Sequence, residues 1–183
     1  MDGTAGRRER ARDFLTEPEI TALLEGAKAG RHGLRNHLLL LMTYRHALRV
    51  SEAVGLRRDA LDLDRARLWV HRVKGGFSIE QPVAQDELRA ARRYLATRSD
   101  ALPWLFLSAR GRPLSRDSVN YLVATAAARA GLPPVHPHLL RHSCGFALAN
   151  KGRGLRFIQG HLGHRDPRHA ARYAREAKSE RTR

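Results

Sequence analysis

The sequence predicts an α+β domain that is predominantly α-helical, with a small antiparallel β-sheet inserted after the first helices. Three observations predict it. Apolar residues recur at helical spacing along most of the chain, in runs opened by capping residues or proline and broken by glycine. One stretch, 60–83, departs from that rhythm: β-favouring residues flank Lys74-Gly75-Gly76 on both sides. No internal repeat or low-complexity linker divides the 183 residues, a length that suits one domain, and an apolar fraction of 42% supports a core.

Residues 1–13 are small or charged and read as a flexible basic arm; the domain is expected over 14–178, with a short tail at 179–183. The first helix begins after Thr16, which forms a capping box with Glu19, and Pro18 lies in its first turn. Ile20, Leu23, Leu24 and Ala27 make its core stripe. A second helix is expected over 34–47. Its Leu38 to Met42 segment is apolar on every side, which places it at the centre of the fold. Ser51 can cap a short helix over 52–56. The sheet follows: strands containing Leu61 and Leu63, then 68–73, a turn at Lys74 to Gly76, and a return strand over 77–83. Helices are then expected over 86–97, after the Ser115 cap, from Pro137 to about Asn150, over 155–162, and after the Asp166-Pro167 start.

Charge narrows the partner. Lys and Arg outnumber Asp and Glu by 34 to 18, a formal net charge of +16, and the excess runs from Arg7 to Arg183. A polyanion is the expected partner, and such a spread favours nucleic acid over a local membrane patch. A merely solvated basic surface is the plainer alternative. The lone Cys144 excludes an internal disulfide framework and reads as a buried thiol. No apolar run approaches a membrane span, and no hydrophobic stretch follows the N-terminal charges, so no membrane partner and a cytoplasmic location are expected.

Between His136 and Tyr173 several chemistry-bearing side chains crowd together. His138 and Arg141 fall on one helix face; Leu162-Gly163-His164 follows, and Tyr173 comes nine positions after that histidine. An acid/base imidazole, a guanidinium, a second imidazole and a phenol suffice to attack a phosphodiester without a metal. Arg49 lies just before a helix N-terminus, where a group can meet a phosphate. Each has an ordinary reading too: Arg49 as a surface residue, Lys74 as a solubilising hairpin tip, His164 as a helix C-terminal group, Tyr173 as core, Glu52 as a helix-start acid.

Taken together, the order and spacing resemble the tyrosine recombinases of the phage integrase family. The pattern is met by Leu48-Arg49-Val50-Ser51-Glu52, Lys74, His138 with Arg141, Leu162-Gly163-His164 and Tyr173. The segments Tyr44 to Arg49, Leu139 to Gly145 and Leu162 to Arg165 further resemble the short fimbrial phase-variation recombinases, which invert a promoter segment. The likeness covers about residues 14–175. It implies a tyrosine-recombinase catalytic domain that cleaves double-stranded DNA through a 3′-phosphotyrosine link and a free 5′-hydroxyl, with no cofactor, no metal and no ATP.

Under that resemblance Tyr173 is the nucleophile and His138 its base, reversing as acid on religation. Arg49 and Arg141 grip the non-bridging oxygens, His164 adds a third donor, Lys74 protonates the departing 5′ oxygen, and Glu52 orients its neighbours. The resemblance also implies a tetramer on paired DNA sites. Many relatives carry a separate DNA-clamping domain before the catalytic one. Only about a dozen residues precede the first helix here, so affinity is expected to rest on cooperative assembly and DNA-bending accessory proteins.

Rival readings are a metal enzyme built on the clustered histidines, a non-catalytic nucleic-acid-binding module of the same fold, and a relaxing topoisomerase. His138 and His142 stand at i, i+4, but Leu139, Leu140 and Arg141 between them hold no general-base Glu. The charge predicts that log affinity for DNA falls steeply and near-linearly with log salt, by about 0.9 per phosphate neutralised. Fluorescence anisotropy over a salt series measures this; a slope near zero would mean that the basic surface faces elsewhere.

Overall fold

The structure, a computed structural model, describes residues 13–73 and 76–181. The expected arm lies outside them except for Asp13, and so does Lys74. In chain order the elements are α1 (Glu17–Lys28), α2 (Gly33–Arg45), α3 (Val50–Val54), a 3-10 turn (Arg58–Ala60), β1 (Leu61–Asp62), β2 (Arg67–Val70), β3 (Ile79–Pro82), α4 (Gln85–Leu95), α5 (Arg116–Arg129), α6 (Pro137–Asn150), α7 (Leu155–Leu162) and α8 (Pro167–Arg181). The predominantly helical α+β architecture with an inserted antiparallel sheet is the one expected.

Local chemistry explains most boundaries. Thr16 Oγ1 accepts from the Glu19 N–H at 3.4 Å, and the Glu19 carboxylate accepts from the Thr16 N–H at 2.8 Å, so α1 starts with two of its free donors satisfied. Ser115 caps α5 by accepting from the Ser118 N–H at 3.0 Å. Asp166 accepts from the Arg168 N–H at 2.8 Å where α8 begins, with Pro167 as its first residue.

Helix α2 is the axis of the main core. Leu38, Leu39, Leu40, Leu41 and Met42 are all buried, because α1, α3, α4 and α6 pack around this helix. Each such side chain contributes about 1.5–3 kcal/mol through burial. The sheet pairs β1 with β2 and β2 with β3, antiparallel, with Leu68 and Val70 inward and Trp69 outward. A second buried cluster forms where α6, α7 and α8 meet, from Ala47, Cys144, Phe146, Ala149, Ile158, Leu162, Ala170 and Tyr173. Cys144 is buried as expected, and burial pushes its thiol up to about 12. Helix α6 contributes to both clusters, with Leu140 in the first and Cys144 in the second.

Three local expectations are corrected. Helix α2 stops at Arg45 rather than Ala47, because Ala47 takes a left-handed conformation (φ 50°) and turns the chain. Ser51 sits inside α3 instead of capping it; Arg49 is the N-cap residue, its N–H donating to the Glu52 carboxylate at 2.8 Å. The strand expected to reach Val73 ends at Val70, which pairs with Ile79, and the turn read at Lys74 to Gly76 lies outside the described residues except for Gly76. The Arg72 N–H there donates to Ser78 Oγ at 3.2 Å instead of to a partner strand.

Helices α1 and α5 approach closely at Gly26, where a Cβ would stand 2.4 Å from the Ala126 carbonyl oxygen. Gly26→Ala should therefore destabilise the fold by about 1–3 kcal/mol through overpacking, despite the better helix propensity of alanine, worth about 1 kcal/mol. Denaturant unfolding measures it; a gain in stability would mean that the two helices can separate without cost.

Candidate active site

The left-handed turn at the end of α2 builds the first half of the site. The Leu48 N–H reaches back to the Thr43 carbonyl at 3.0 Å, and the Ala47 N–H to Tyr44 at 3.2 Å, closing the helix in the manner usually served by glycine. The chain then reverses, and Arg49 becomes the residue that opens α3. Its guanidinium donates to Glu52 Oε1 at 2.9 Å while its N–H donates to Oε2. Glu52 is buried and also accepts from Arg72 Nη1 at 2.8 Å and from the Val73 N–H at 3.3 Å. Burial works to raise this carboxyl, but the Arg49 N–H and the guanidinium groups of Arg72 and Arg49 hold it below the usual range. The orienting role expected for Glu52 thus has a physical form: one carboxylate ties α3 to the loop after β2.

Arg72 and Arg141 bring the other elements in. Arg72 donates to the carbonyls of Ala47 (3.1 Å), His46 (2.9 Å) and His161. Arg141, on α6, donates to the carbonyls of Ala47 and Leu162. Arg141 is buried, and burial together with Arg49 and Arg72 lowers it to about 10. The result is a cluster of three guanidinium groups around a single buried carboxylate. Such a site carries excess desolvated positive charge, and an anion is its natural complement.

The second half is a row of rings. Helix α6 puts His138, Arg141 and His142 on one face at i, i+3 and i+4. His138 is exposed and lies edge-on to His142, centroids 4.3 Å apart. The Tyr173 hydroxyl lies 2.8 Å from His142 Nδ1. Tyr173 is buried, and the His164 ring lies parallel to it at 6.4 Å. His164 follows Gly163, whose left-handed conformation (φ 65°) ends α7 and turns the imidazole toward α8. Its Nδ1 is buried and without a hydrogen-bond partner among the described residues. Burial first, then nearby cations, lowers His142 and His164 to about 4, and lowers His138 as well.

The fold therefore gathers Arg49, Glu52, Arg141, His138, His164 and Tyr173 into one region. Lys74 lies outside the described residues, but its neighbours are held here: the Val73 N–H at Glu52, and Gly76 so near Gly163 that a Cβ would stand 2.8 Å from the Gly163 carbonyl oxygen. Sequence reasoning missed two participants. Arg72 occupies the inward register of the strand, two residues after buried Val70, and that alternation is a legible signal. His142 lies four residues after His138, and its spacing alone suggests only a metal ligand. Among the described residues, no three His, Cys, Asp or Glu side chains are grouped to hold a metal ion.

The sequence model of the phage integrase family matches residues 13–180. The chain is 43% identical over 169 residues to the type 1 fimbriae regulatory protein FimB of Escherichia coli strain K12, covering 90% of this chain and 84% of that one. It is 39% identical over 168 residues to FimE of the same strain, covering 88% and 85%. The fold is similar to that of the XerH site-specific recombinase in a post-cleavage complex with a palindromic difH substrate, with a TM-score of 0.78 at 22% identity over 91% of this chain and 50% of that one.

The buried imidazoles couple stability to pH. His142, His161 and His164 are lowered to about 4 by burial, whereas unfolded histidine titrates near 6.5. Between those values the unfolded chain binds protons that the native state refuses, so stability falls as pH drops from about 6.5 toward 4. The Tm of the DNA-free protein should decline from pH 7 to pH 5, and a flat Tm across that range would show that these rings titrate freely.

Proposed function

The chain belongs to the phage integrase family, and from that premise we propose that it is a site-specific DNA recombinase in which Tyr173 attacks the scissile phosphorus. The Tyr173–P bond forms as the P–O5′ bond breaks, leaving a 3′-phosphotyrosine and a 5′-hydroxyl. Attack of a 5′-hydroxyl from another strand reverses the step without ATP, because the bond energy is retained in the phosphotyrosine. The observation that carries this reading is the cluster of Arg49, Arg72 and Arg141 around one carboxylate, adjoining the ring row that ends in the Tyr173 hydroxyl.

Each group has work that its surroundings support. Arg49 and Arg141 can take the two non-bridging oxygens, where charge develops in the transition state. Arg72, whose two terminal nitrogens are engaged by backbone carbonyls and Glu52, keeps that pair in register. His164, with an unpartnered Nδ1, supplies a further polar contact to the phosphate. His138, the exposed imidazole at the start of α6, is the acid/base residue on the DNA side. Lys74 protonates the departing 5′ oxygen.

The likeness to FimB and FimE supports inversion of a promoter segment as the biological outcome; assembly as a tetramer on paired sites with DNA-bending accessory proteins is a further part of this proposal. The net charge of +16 supports double-stranded DNA as the partner. No helix among the described residues is long and apolar enough to cross a membrane, which accords with a DNA-associated cytoplasmic protein.

Tyr173→Phe removes only the attacking oxygen and keeps the ring that fills the second cluster. It should bind DNA with unchanged affinity yet yield no covalent adduct on a nicked suicide substrate, read by denaturing gel. An undiminished adduct would exclude Tyr173 as nucleophile, and adduct absent from the native protein as well would favour the non-catalytic module.

A further inference from the structure

Helix α6 presents two imidazoles to the site, and the one bonded to the phenol is not the one that the H-x-x-R spacing singles out. His142 Nδ1 lies 2.8 Å from the Tyr173 hydroxyl, inside hydrogen-bond range, with the two rings inclined at 49°. A bare backbone at Gly145 makes this docking possible. A Cβ there would stand 2.8 Å from Cε1 and Cζ of the Tyr173 ring, so the ring lies flat on α6 one turn beyond Arg141. Two residues on one face of α6 thus receive the tyrosine: Gly145 its ring and His142 its oxygen. The His138 ring meets His142 edge-on, with centroids 4.3 Å apart, and His138 remains exposed.

We propose that His142 is the catalytic group that accepts the phenolic proton of Tyr173 as the oxygen attacks, leaving His138 to act on the phosphate side. This rests on the reading of Tyr173 as nucleophile. As the Tyr173–P bond forms and the P–O5′ bond breaks, the phenolic proton passes to His142 Nδ1, and Lys74 supplies a proton to the 5′ oxygen. On religation the imidazolium returns its proton to the tyrosine oxygen as that oxygen leaves phosphorus, and the attacking 5′-hydroxyl gives its proton back to Lys74.

The groups facing His142 determine when it can do this. On α6 they are His138 and Arg141, on α8 Arg172 and Tyr173, and on the segment before α1 Asp13, which pairs with Arg172. Burial, His138, Arg172 and Arg141 keep the imidazole neutral, and in its Nε2–H tautomer Nδ1 offers a lone pair to the hydroxyl; Asp13 alone among them favours the charged form. A DNA phosphate entering the arginine cluster adds negative charge beside Arg141 and opposes its effect. Substrate binding thereby raises the basicity of His142 at the moment when a base is needed.

Asparagine can accept the same hydrogen bond through Oδ1 but cannot take the proton, so it separates positioning from proton transfer. Single-turnover cleavage of a suicide substrate would be followed from pH 6 to pH 9 for the native protein, His142→Asn, His142→Ala and Gly145→Ala, with DNA binding and Tm measured alongside. At pH 7, His142→Asn should cleave about 10²–10⁴-fold more slowly, the usual scale of acid–base assistance. Its rate should climb with pH where the native rate levels off, because hydroxide takes over the deprotonation. Added imidazole should restore part of the activity of His142→Ala. Gly145→Ala, which displaces the ring but keeps both groups, should show the same deficit at pH 7.

Cleavage by His142→Asn within a few-fold of native at pH 7 overturns the proposal. A slow rate that neither climbs with pH nor responds to imidazole in the alanine variant also overturns it, and assigns His142 to packing. Should the asparagine variant fail to fold, the alanine and Gly145 variants decide between the same two outcomes. Tyr173→Phe in parallel keeps the two readings apart: an adduct from it removes the nucleophile assignment, whereas its loss beside an active His142→Asn removes only the role of His142.

Discussion

The carbonyl oxygen of Ala47 accepts hydrogen bonds from two buried guanidinium groups, Arg72 and Arg141, and the arrangement of the site depends on that shared acceptor. A buried cation must find hydrogen-bond acceptors or the fold loses several kcal/mol. Here the acceptors are backbone carbonyls exposed at helix ends: Ala47 and His46 at the end of α2, His161 and Leu162 at the end of α7. Carbonyls in the last turn lack intrahelical partners and carry the negative end of the helix dipole. Two helix termini and the terminal nitrogens of two arginines therefore engage one another, which ties α2, α6, α7 and the segment after β2 together. The conformation that aims the Ala47 carbonyl is left-handed, which for a residue with a Cβ costs about 1–2 kcal/mol. The hydrogen bonds that the turn makes possible offset that cost.

Glu52 is the counterpart of this arrangement. It accepts from Arg49, Arg72 and the Val73 N–H, so the residue that opens α3 and the segment after β2 share one anchor. One carboxylate cannot neutralise three guanidinium groups. The imbalance is tolerable because Arg49 is only half-buried and open to solvent, and it leaves the cluster with a charge that an anion would complement. The same excess of positive charge, added to burial, keeps the imidazoles of His142 and His164 neutral in the free protein. The charge states of these rings and of the arginines are thus coupled through a few ångströms of low-dielectric space.

Helix α6 sets the spacing within the site. Its inward side joins the main core through Leu140 and the smaller cluster through Cys144 and Phe146, so the helix can neither rotate nor slide without opening one of them. Its other face presents His138, Arg141, His142 and Gly145 in successive turns. The stacking of Phe14 on Phe146 and the bond from the Leu15 N–H to Ser143 Oγ at 2.7 Å hold the segment before α1 against the same helix. Rigidity in α6 passes to Tyr173 through direct contact at Gly145 and His142, which places its hydroxyl on a packed element.

Much of this was determined by the sequence alone. Capping boxes, prolines at first turns and the apolar stripe of α1 depend on residues within four positions of one another, so they act before any tertiary contact forms, and they located most helices. The wholly apolar run in α2 could satisfy its surroundings only at the centre. The order of Arg49, Lys74, His138, Arg141, His164 and Tyr173 named the expected site and the family. What the sequence did not reveal is non-local. The left-handed Ala47 is legible only when its carbonyl is seen between two guanidinium groups from residues 25 and 94 positions away. Arg72 alternates like a strand residue, yet its inward position becomes a structural cation only because Glu52 and two helix ends converge there. The partner of the Tyr173 hydroxyl lies 31 residues away, and which of two imidazoles on one helix face receives it depends on the angle at which α8 crosses α6. Periodicity orders the side chains along each helix; the packing of one helix on another decides which of them touch.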